Sequence, residues 1–574
     1  MKDSELIKRI WQFAGKYKWA FLFSYAVLLI ELVFEQMLPA FLGDVINTAV
    51  YEANISRFVW AALLYAAVFF GFAACGFIQL LLWQRLHNKY VFNIRFVCYQ
   101  KVLRLKPRIL ADIKTGDVIK TINGDTEEFH NIIQRYGMRI INAGIGAVTS
   151  LVIVAVMKRE IALFMLVAIP FSVMITKRIQ TKMKSASDKL RATQGQYSAW
   201  TMEILRGMRE VKLFAAEKTV LRHFMKKNHE IVRDTIEQDY IQFKADELLG
   251  GIYFLENMAF YIICAVFVAT GSIDIGEYVA IASYFTLTVS NVRKVLGGNV
   301  NYQWRKTCVE HVLNLLDEEE EAEEGLSDLC VTEGRIDVRN LTFSYDADNN
   351  ILEDVNLQIA PGEKIGIVGQ SGVGKSTLAS LLLKFYEPQK GDILIDGVSL
   401  KTCTGSSIRQ SVGIVSQENI IFHITVRENI TFGVPASDQV LWDILEKVYL
   451  KNEIEKLPYG LDTVLDGSDS LSGGQNQRLC VARLFFQNPK IIILDEATSA
   501  LDIETESTVQ KALDALAKEK TTIVISHRCR ALLNTDKILV LKDGREAGCD
   551  CYEKLMSENQ YFSELFAGQK EVSV

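Results

Sequence analysis

Proline is scarce in this chain, 8 of 574 residues against a usual share of about 5%, which favours long uninterrupted helices over a loop-rich fold. A basic excess is missing too: 63 Lys and Arg against 69 Asp and Glu leave a net charge of −6, unlike a non-specific nucleic-acid binder. No two of the ten cysteines form a C-x-x-C pair, and Cys75 and Cys264 lie inside apolar runs, so free thiols are expected rather than a disulfide framework. Cys549 and Cys551 have no histidine nearby, which reads as surface thiols rather than a metal site. Met1 to Lys18 is polar and amphipathic and lacks a small-residue cleavage site, so no cleaved signal peptide is expected. What remains is a chain long enough for two or three large domains, with its apolar residues unevenly spread.

Those apolar residues gather in six runs: Trp19 to Leu42, Phe58 to Gln79, Ile140 to Met157, Ile161 to Ile175, Leu248 to Thr270 and Tyr278 to Val292. As helices rising 1.5 Å per residue they approach or exceed the span of a hydrocarbon core about 30 Å thick. Six crossings put both ends of the membrane domain on one side. The segments carrying Lys8, Arg9, Lys16 and Lys18, then Arg85, Lys89, Arg95, Lys101 and Arg104, then Lys177, Arg178, Lys182 and Lys184 mark that side as cytoplasmic. The joints Gly43 to Ser56 and Gly271 to Glu277 carry no Lys or Arg, as external turns should. The two long inner segments are too long for structureless loops and are expected to extend the helices beyond the bilayer.

The expected division is a membrane domain over 1–316, an exposed acidic linker over 317–333 that contains the block Asp317 to Glu324, and a second domain over 334–574. In the second domain short β-rich runs (Lys364 to Val368, Gly413 to Val415, Ile491 to Leu494, Thr522 to Ile525) alternate with helical stretches, as in an α/β nucleotide-binding sheet. The fold class expected is therefore an all-α six-helix transmembrane domain followed by an α/β P-loop ATPase domain.

Gly369-Gln-Ser371-Gly372-Val-Gly374-Lys375-Ser376 follows the apolar run ending at Val368 and opens a helix with Thr377, matching the phosphate-loop pattern (Walker A) in its strand-to-helix context. The glycines let backbone N–H groups face the phosphates, Lys375 reaches the β- and γ-phosphates, and Ser376 can ligate Mg²⁺. Ile491 to Leu494 ends in Asp495-Glu496: an aspartate there can hold Mg²⁺ and the adjacent carboxylate can activate water, or the two are merely a strand-end acidic pair. Between these motifs Leu471-Ser472-Gly473-Gly474-Gln475 makes an anion-binding helix start.

This constellation resembles the nucleotide-binding domain of ABC transporters, whose signature is LSGGQ. The resemblance implies that Tyr345 stacks on adenine, that Gln417 touches Mg²⁺ and senses the membrane domain, that Asp502 lies on a loop crossing the dimer interface, and that His527 contacts the γ-phosphate. Glu496, His527 and Gln417 are then the catalytic set, and Ser376, Gln417 and Asp495 the metal set. The membrane half is similar to the exporter-type, type IV half-transporters, with Thr115-Gly-Asp117 and Glu210-Val-Lys-Leu-Phe214 near the two coupling segments. Met1 to Lys18 leaves no room for a peptidase domain of the kind that trims peptide cargo. Relatives carry T-x-V-G-E-x-G before the signature; here Thr463-Val-Leu-Asp-Gly-Ser-Asp469 is one residue shorter and lacks the glutamate, with Asp466 as its substitute.

Glu31 and Glu35 in the first span share a helix face, and Glu256 lies in the fifth. A carboxylate at that depth is expensive, so these three are expected either to line a wet substrate cavity that draws cationic cargo or to be neutral or paired structurally with Arg139 or Gln36. The function expected is ATP-driven export by a dimer, with ATP and Mg²⁺ as cofactors and a second half-transporter as partner: a homodimer, since Glu496 and Leu471 to Gln475 are intact, with a heterodimer as the alternative. The bilayer, a small-molecule, lipid or peptide cargo and no nucleic acid complete the expected partners. A siderophore-type importer on the same fold and an ATP-gated channel or sensor are the rival readings.

Overall fold

The computed structural model describes residues 3–52, 54–321, 323–346, 349–416, 419–466, 471–496 and 503–566. The chain divides into two units: Met1–Leu103 with Ile113–Glu318, and Arg104–Asp112 with Glu319–Val574.

Among the described residues the first unit is built of helices and short turns, with no strand. A short amphipathic helix, α1 (Asp3–Ala14), precedes α2 (Lys18–Val50) and the 50-residue α3 (Ile55–Arg104). At 1.5 Å per residue α3 is about 75 Å long, more than twice the hydrocarbon thickness, so the expected helical extension is present. After the short α4 (Pro107–Asp112) come α5 (Thr115–Met157), α6 (Arg159–Arg206), α7 (Glu217–Ala269) and α8 (Ile275–Asp317). Only Lys158, with an extended backbone (φ −152°, ψ 106°), separates α5 from α6, so the third and fourth runs are joined by a tight hairpin. Scarce proline has the predicted result, and the two prolines inside α2 and α6, Pro39 and Pro170, leave each helix continuous.

Among the described residues five helices are long and apolar enough to cross a membrane: Glu5–Val50, Ile55–Arg104, Thr115–Met157, Arg159–Arg206 and Glu217–Ala269. The sixth expected span lies within α8, which is long enough but carries Ser283, Tyr284, Thr286, Thr288, Ser290 and Asn291 in place of a uniformly apolar face. Two of these groups bond to neighbouring helices, which satisfies them away from lipid. The Tyr284 hydroxyl donates to the Gln36 carbonyl at 2.7 Å, and the hydroxyls of Ser150 and Thr288 lie 2.8 Å apart. Their neighbour Phe285 stacks on Phe260 at 4.3 Å between ring centroids. Near the other end of this contact α2 and α8 meet at Gly43 and Gly276, where a Cβ on Gly276 would stand 2.2 Å from the Gly43 carbonyl oxygen, so only glycine permits this approach.

The second unit holds two sheets. A four-stranded antiparallel sheet has the order β2-β1-β4-β5, formed by β1 (Ile336–Phe343), β2 (Leu352–Ile359), β4 (Lys390–Ile395) and β5 (Val398–Ser399). A six-stranded sheet has the order β10-β9-β3-β8-β7-β6, with β3 (Lys364–Val368), β6 (Val412–Val415), β7 (Ile491–Asp495), β8 (Thr521–Ile525), β9 (Lys537–Lys542) and β10 (Arg545–Asp550). Its strands β9, β3, β8, β7 and β6 are parallel, and only the edge strand β10 pairs antiparallel, so the carboxyl ends of β3, β7 and β8 open on one edge. Such an edge is where doubly wound sheets bind ligands. The four apolar runs read as strands from sequence are β3, β6, β7 and β8. All ten cysteines are free.

The acidic linker is exposed at Asp317 to Glu320, Glu323 and Glu324, as its charge suggests, and it is also tied down. Glu321 N–H donates to the Arg104 carbonyl at 2.8 Å, and Lys106 N–H to the Glu319 carbonyl at 3.3 Å. Lys106 pairs with Glu319 at 2.5 Å, and Arg409 grips Glu321 with two hydrogen bonds of 2.9 and 2.7 Å. Further on, the backbone N–H groups of Thr332, Glu333, Gly334 and Arg335 converge on the Asp396 carboxylate at 2.8–3.0 Å. Burial alone would raise the pKa of Asp396, but these donors outweigh it and hold it below the usual aspartate value.

Candidate ATP site and membrane carboxylates

The phosphate loop spans the end of β3 and the start of a helix, α9 (Lys375–Leu382). The chain must turn through left-handed backbone to do this, and glycine supplies it: Gly369, Gly372 and Gly374 have φ of +155°, +82° and +107°. Around Gly369 there is no space for a side chain, because a Cβ would stand 2.4 Å from the Leu541 carbonyl oxygen. Lys375 folds back onto this loop and donates to the Gly369 and Gln370 carbonyls, each at 2.9 Å. Burial lowers its pKa, against the opposing charges of Glu496 and Asp495.

Those two carboxylates stand at the end of β7. Burial raises the pKa of Asp495, and the Ser376 hydroxyl, hydrogen-bonded to it, offsets part of that effect. Ser376 and Asp495 are thus brought together, an oxygen pair of the kind that suits a hard divalent cation. Glu496 has a left-handed backbone, φ +48°, a conformation that costs a non-glycine residue about 1–3 kcal/mol and tends to occur at functional sites. Its N–H donates to the Ile525 carbonyl at the end of β8 (3.0 Å), and its carboxylate meets His527 Nε2 at 2.7 Å. Sheet pairing therefore aims the candidate base, and a histidine from the adjacent strand end holds it.

Tyr345 packs edge-on against Phe343 and Tyr386, with ring centroids 5.0 and 5.1 Å away, and its hydroxyl lies 3.1 Å from that of Thr377. The ring is half exposed beside a cavity of about 660 Å³. Gln417 and Asp502 lie outside the described residues.

The signature opens the helix α10 (Gly473–Gln487). Ser472 caps it by accepting from Gln475 N–H at 3.3 Å, while Gln475 Oε1 accepts from Ser472 N–H at 2.8 Å. Two of the free donors at that helix start are satisfied reciprocally, leaving Gly473 and Gly474 as bare backbone. Leu471 and Leu479 belong to a core with Val415, Leu494 and Val509, separate from the core of Ile365, Ile367 and Leu378 beneath the phosphate loop. Asp466 pairs with His423 at 3.3 Å, a contact not anticipated from sequence; residues 467–470 lie outside the described residues.

In the membrane unit the three acidic residues do not form one group. Glu31 lies against α3, its Oε1 3.5 Å from where a Cβ on Gly76 would stand. Gln36 turns to the Gly146 carbonyl (3.4 Å), so it is no partner for Glu31. Glu35 is half-buried on α2. Glu256, on α7, lines a different cavity with Ser172 of α6 and Arg293 of α8.

A helical membrane unit fused to a P-loop ATPase that carries an intact signature helix defines an ATP-hydrolysing membrane transporter. Family models agree: ABC transporter transmembrane region over residues 20–292 and ABC transporter over 352–499. Two proteins described as multidrug export ATP-binding/permease, from Staphylococcus aureus strains bovine RF122 / ET3-1 and NCTC 8325 / PS 47, are each 30% identical over 576 residues, covering 98% of this chain and all of each relative. A bacterial Atm1-family ABC exporter solved with ATP bound superposes with a TM-score of 0.80 at 24% identity, over 96% of this chain and 99% of that one, a likeness of fold. The chain belongs to the ABC transporter family. It is a multi-pass membrane protein and a transport-coupled ATPase.

Proposed function

We propose that this chain is one half of a homodimeric exporter. ATP closes the two ATPase domains on each other, the membrane cavity turns outward, and hydrolysis resets it. The observation that carries the reading is the 2.7 Å contact between Glu496 and His527 beside the phosphate loop: a carboxylate held at a strand end can take a proton from water attacking the γ-phosphate. Mg²⁺ would be held by Ser376, Asp495 and Gln417, which neutralises phosphate charge as it develops. His527 keeps Glu496 in place, Lys375 leaves its carbonyls for the phosphates, and Tyr345 offers its ring to adenine.

The homodimer is supported by one chain carrying both Glu496 and the complete signature. Ser472 to Gln475 form a capped helix start on a core of their own, a rigid donor surface for the phosphate of a second copy. In this reading the domains run 1–316, 317–333 and 334–574, with both termini and the ATPase in the cytoplasm on the basic side. The relatives' description supports a multidrug cargo in this reading. Glu31 and Glu35 line the path and favour cationic groups, since a half-buried carboxylate attracts a cation more strongly than one in bulk water.

Inside-out vesicles test direction. With ATP outside, cargo should accumulate in the lumen in a Glu496-dependent way. Loss of preloaded cargo under the same conditions would establish import instead.

A further inference from the structure

Three helices of the membrane unit enclose a cavity of about 320 Å³ that no part of the ATP cycle explains. Asp246, Leu249, Tyr253 and Glu256 reach it from α7 at helical spacing, Ser172 and Thr176 from α6, and Val289 and Arg293 from α8. Counting from Leu248, Glu256 lies eight residues into the apolar run, about 12 Å deep. The position is reachable from the cytoplasmic end, where Asp246 stands at the mouth.

The polar groups of this cavity satisfy one another only in part: the Ser172 hydroxyl is hydrogen-bonded to the Glu256 carboxyl, which leaves one of its oxygens over. Glu256 Oε1 is buried and has no hydrogen-bond partner. The hydroxyls of Ser172 and Thr176 donate to carbonyls of their own helix, at 3.1 and 2.8 Å. Asp246 accepts from Gln242 at 3.0 Å. Arg293 packs its guanidinium over the Tyr253 ring, 4.5 Å from the centroid, and among the described residues it makes no ion pair within 4.0 Å. A carboxylate and a guanidinium therefore share one cavity without closing on each other. The aromatic contact fixes the guanidinium plane and leaves its N–H fork available.

An unpartnered carboxylate oxygen at this depth is costly unless something that binds there completes it. A ligand that is only a cation satisfies Glu256 but meets Arg293, and one that is only an anion does the reverse. A solute with both charges satisfies both and brings no net charge into the membrane. The volume lies at the small end of ligand pockets, and apart from Asp246 at the mouth, the Ser172 and Thr176 hydroxyls and the Tyr253 ring its other walls are aliphatic side chains and Gly250.

We propose that this cavity is a cargo site for a small zwitterion, dipeptide-sized, whose ammonium sits on Glu256, whose carboxylate is clamped by Arg293, and whose apolar body packs against Val173, Leu249 and Val289. The proposal rests on the exporter reading and assigns its cargo class. It departs from the expectation that Glu256 selects cations.

The probe is the dipeptide Leu-Phe, with its N-acetyl and C-amide forms, bound at equilibrium to the full-length protein in proteoliposomes. The free dipeptide should bind at least tenfold more tightly than either blocked form. Glu256→Gln should remove the advantage of the free amine, and Arg293→Gln that of the free carboxylate, each leaving the other discrimination in place. If either variant fails to fold, the swap Glu256→Arg with Arg293→Glu keeps both charges in the cavity and should restore preference for the free dipeptide. Equal binding of the three forms, tighter binding of the C-amide than of the free dipeptide, or no binding at all overturns the assignment. The exporter reading fails separately: it falls if ATP-driven, Glu496-dependent accumulation in inside-out vesicles is absent, whatever the dipeptide does.

Discussion

Two glycines of the phosphate loop should respond differently to the same substitution. Gly372 has φ +82° with nothing within 4 Å of the position a Cβ would take, so Gly372→Ala carries only left-handed backbone strain, about 1–2 kcal/mol. Gly369 has φ +155°, and its Cβ would stand 2.4 Å from the Leu541 carbonyl oxygen and 2.7 Å from Val373 Cγ1. Leu541 belongs to β9, paired with Glu546 of β10, so that oxygen cannot retreat without disturbing a strand. Strain and displacement together should bring Gly369→Ala to about 3–5 kcal/mol. At about 2–4 °C per kcal/mol for a domain of this size, the apparent melting temperature should fall by about 2–8 °C for Gly372→Ala and by about 6–20 °C for Gly369→Ala. The assay is thermal unfolding of nucleotide-free, detergent-solubilised protein at one scan rate. Nucleotide is omitted because a binding defect would otherwise contribute to the shift. Equal shifts, or a larger one for Gly372→Ala, would refute the reasoning.

Arg409→Gln should release the linker: losing the bidentate grip on Glu321 costs about 1–2 kcal/mol, and cleavage of the linker by a glutamate-specific protease should speed up by about fivefold to thirtyfold. An unchanged cleavage rate would mean that the linker is held elsewhere. Asp396 has a lowered folded-state pKa, so its stabilisation is complete at neutral pH and drains away as pH falls from about 4 through the lowered value. Asp396→Asn should therefore lower stability at pH 7 and flatten its acid dependence, measured by denaturant unfolding; an unaltered profile would contradict this.

What the sequence made legible was local. The phosphate loop, the strand before it and the signature helix are each written in consecutive residues, and the glycines, the lysine and the cap can be read without knowing what lies beside them. Charge patterning told part of the linker's story: its acidic side chains are exposed as expected, but Lys106 and Arg409, from distant parts of the chain, also hold Glu319 and Glu321. The polar face of α8 had the opposite effect. Its serines and threonines leave it short of a membrane span by composition, yet Thr288 and Tyr284 are satisfied by partners on α5 and α2. Likewise nothing near Glu256 in sequence announces Arg293, and the shared helix face of Glu31 and Glu35 does not extend to Glu256. The 2.7 Å meeting of Glu496 and His527 was expected only as two separate motif residues; the parallel pairing of β7 with β8 brings them together.

Glu496 carries the central claim, that hydrolysis at the end of β7 drives transport. The direct measurement is ATP hydrolysis and ATP binding by Glu496→Gln, side by side with the native protein. The account predicts a loss of turnover of about 10²–10⁴-fold with nucleotide binding retained, since the carboxylate activates water but does not hold the phosphates. Turnover near the native rate, or loss of binding along with turnover, would contradict it.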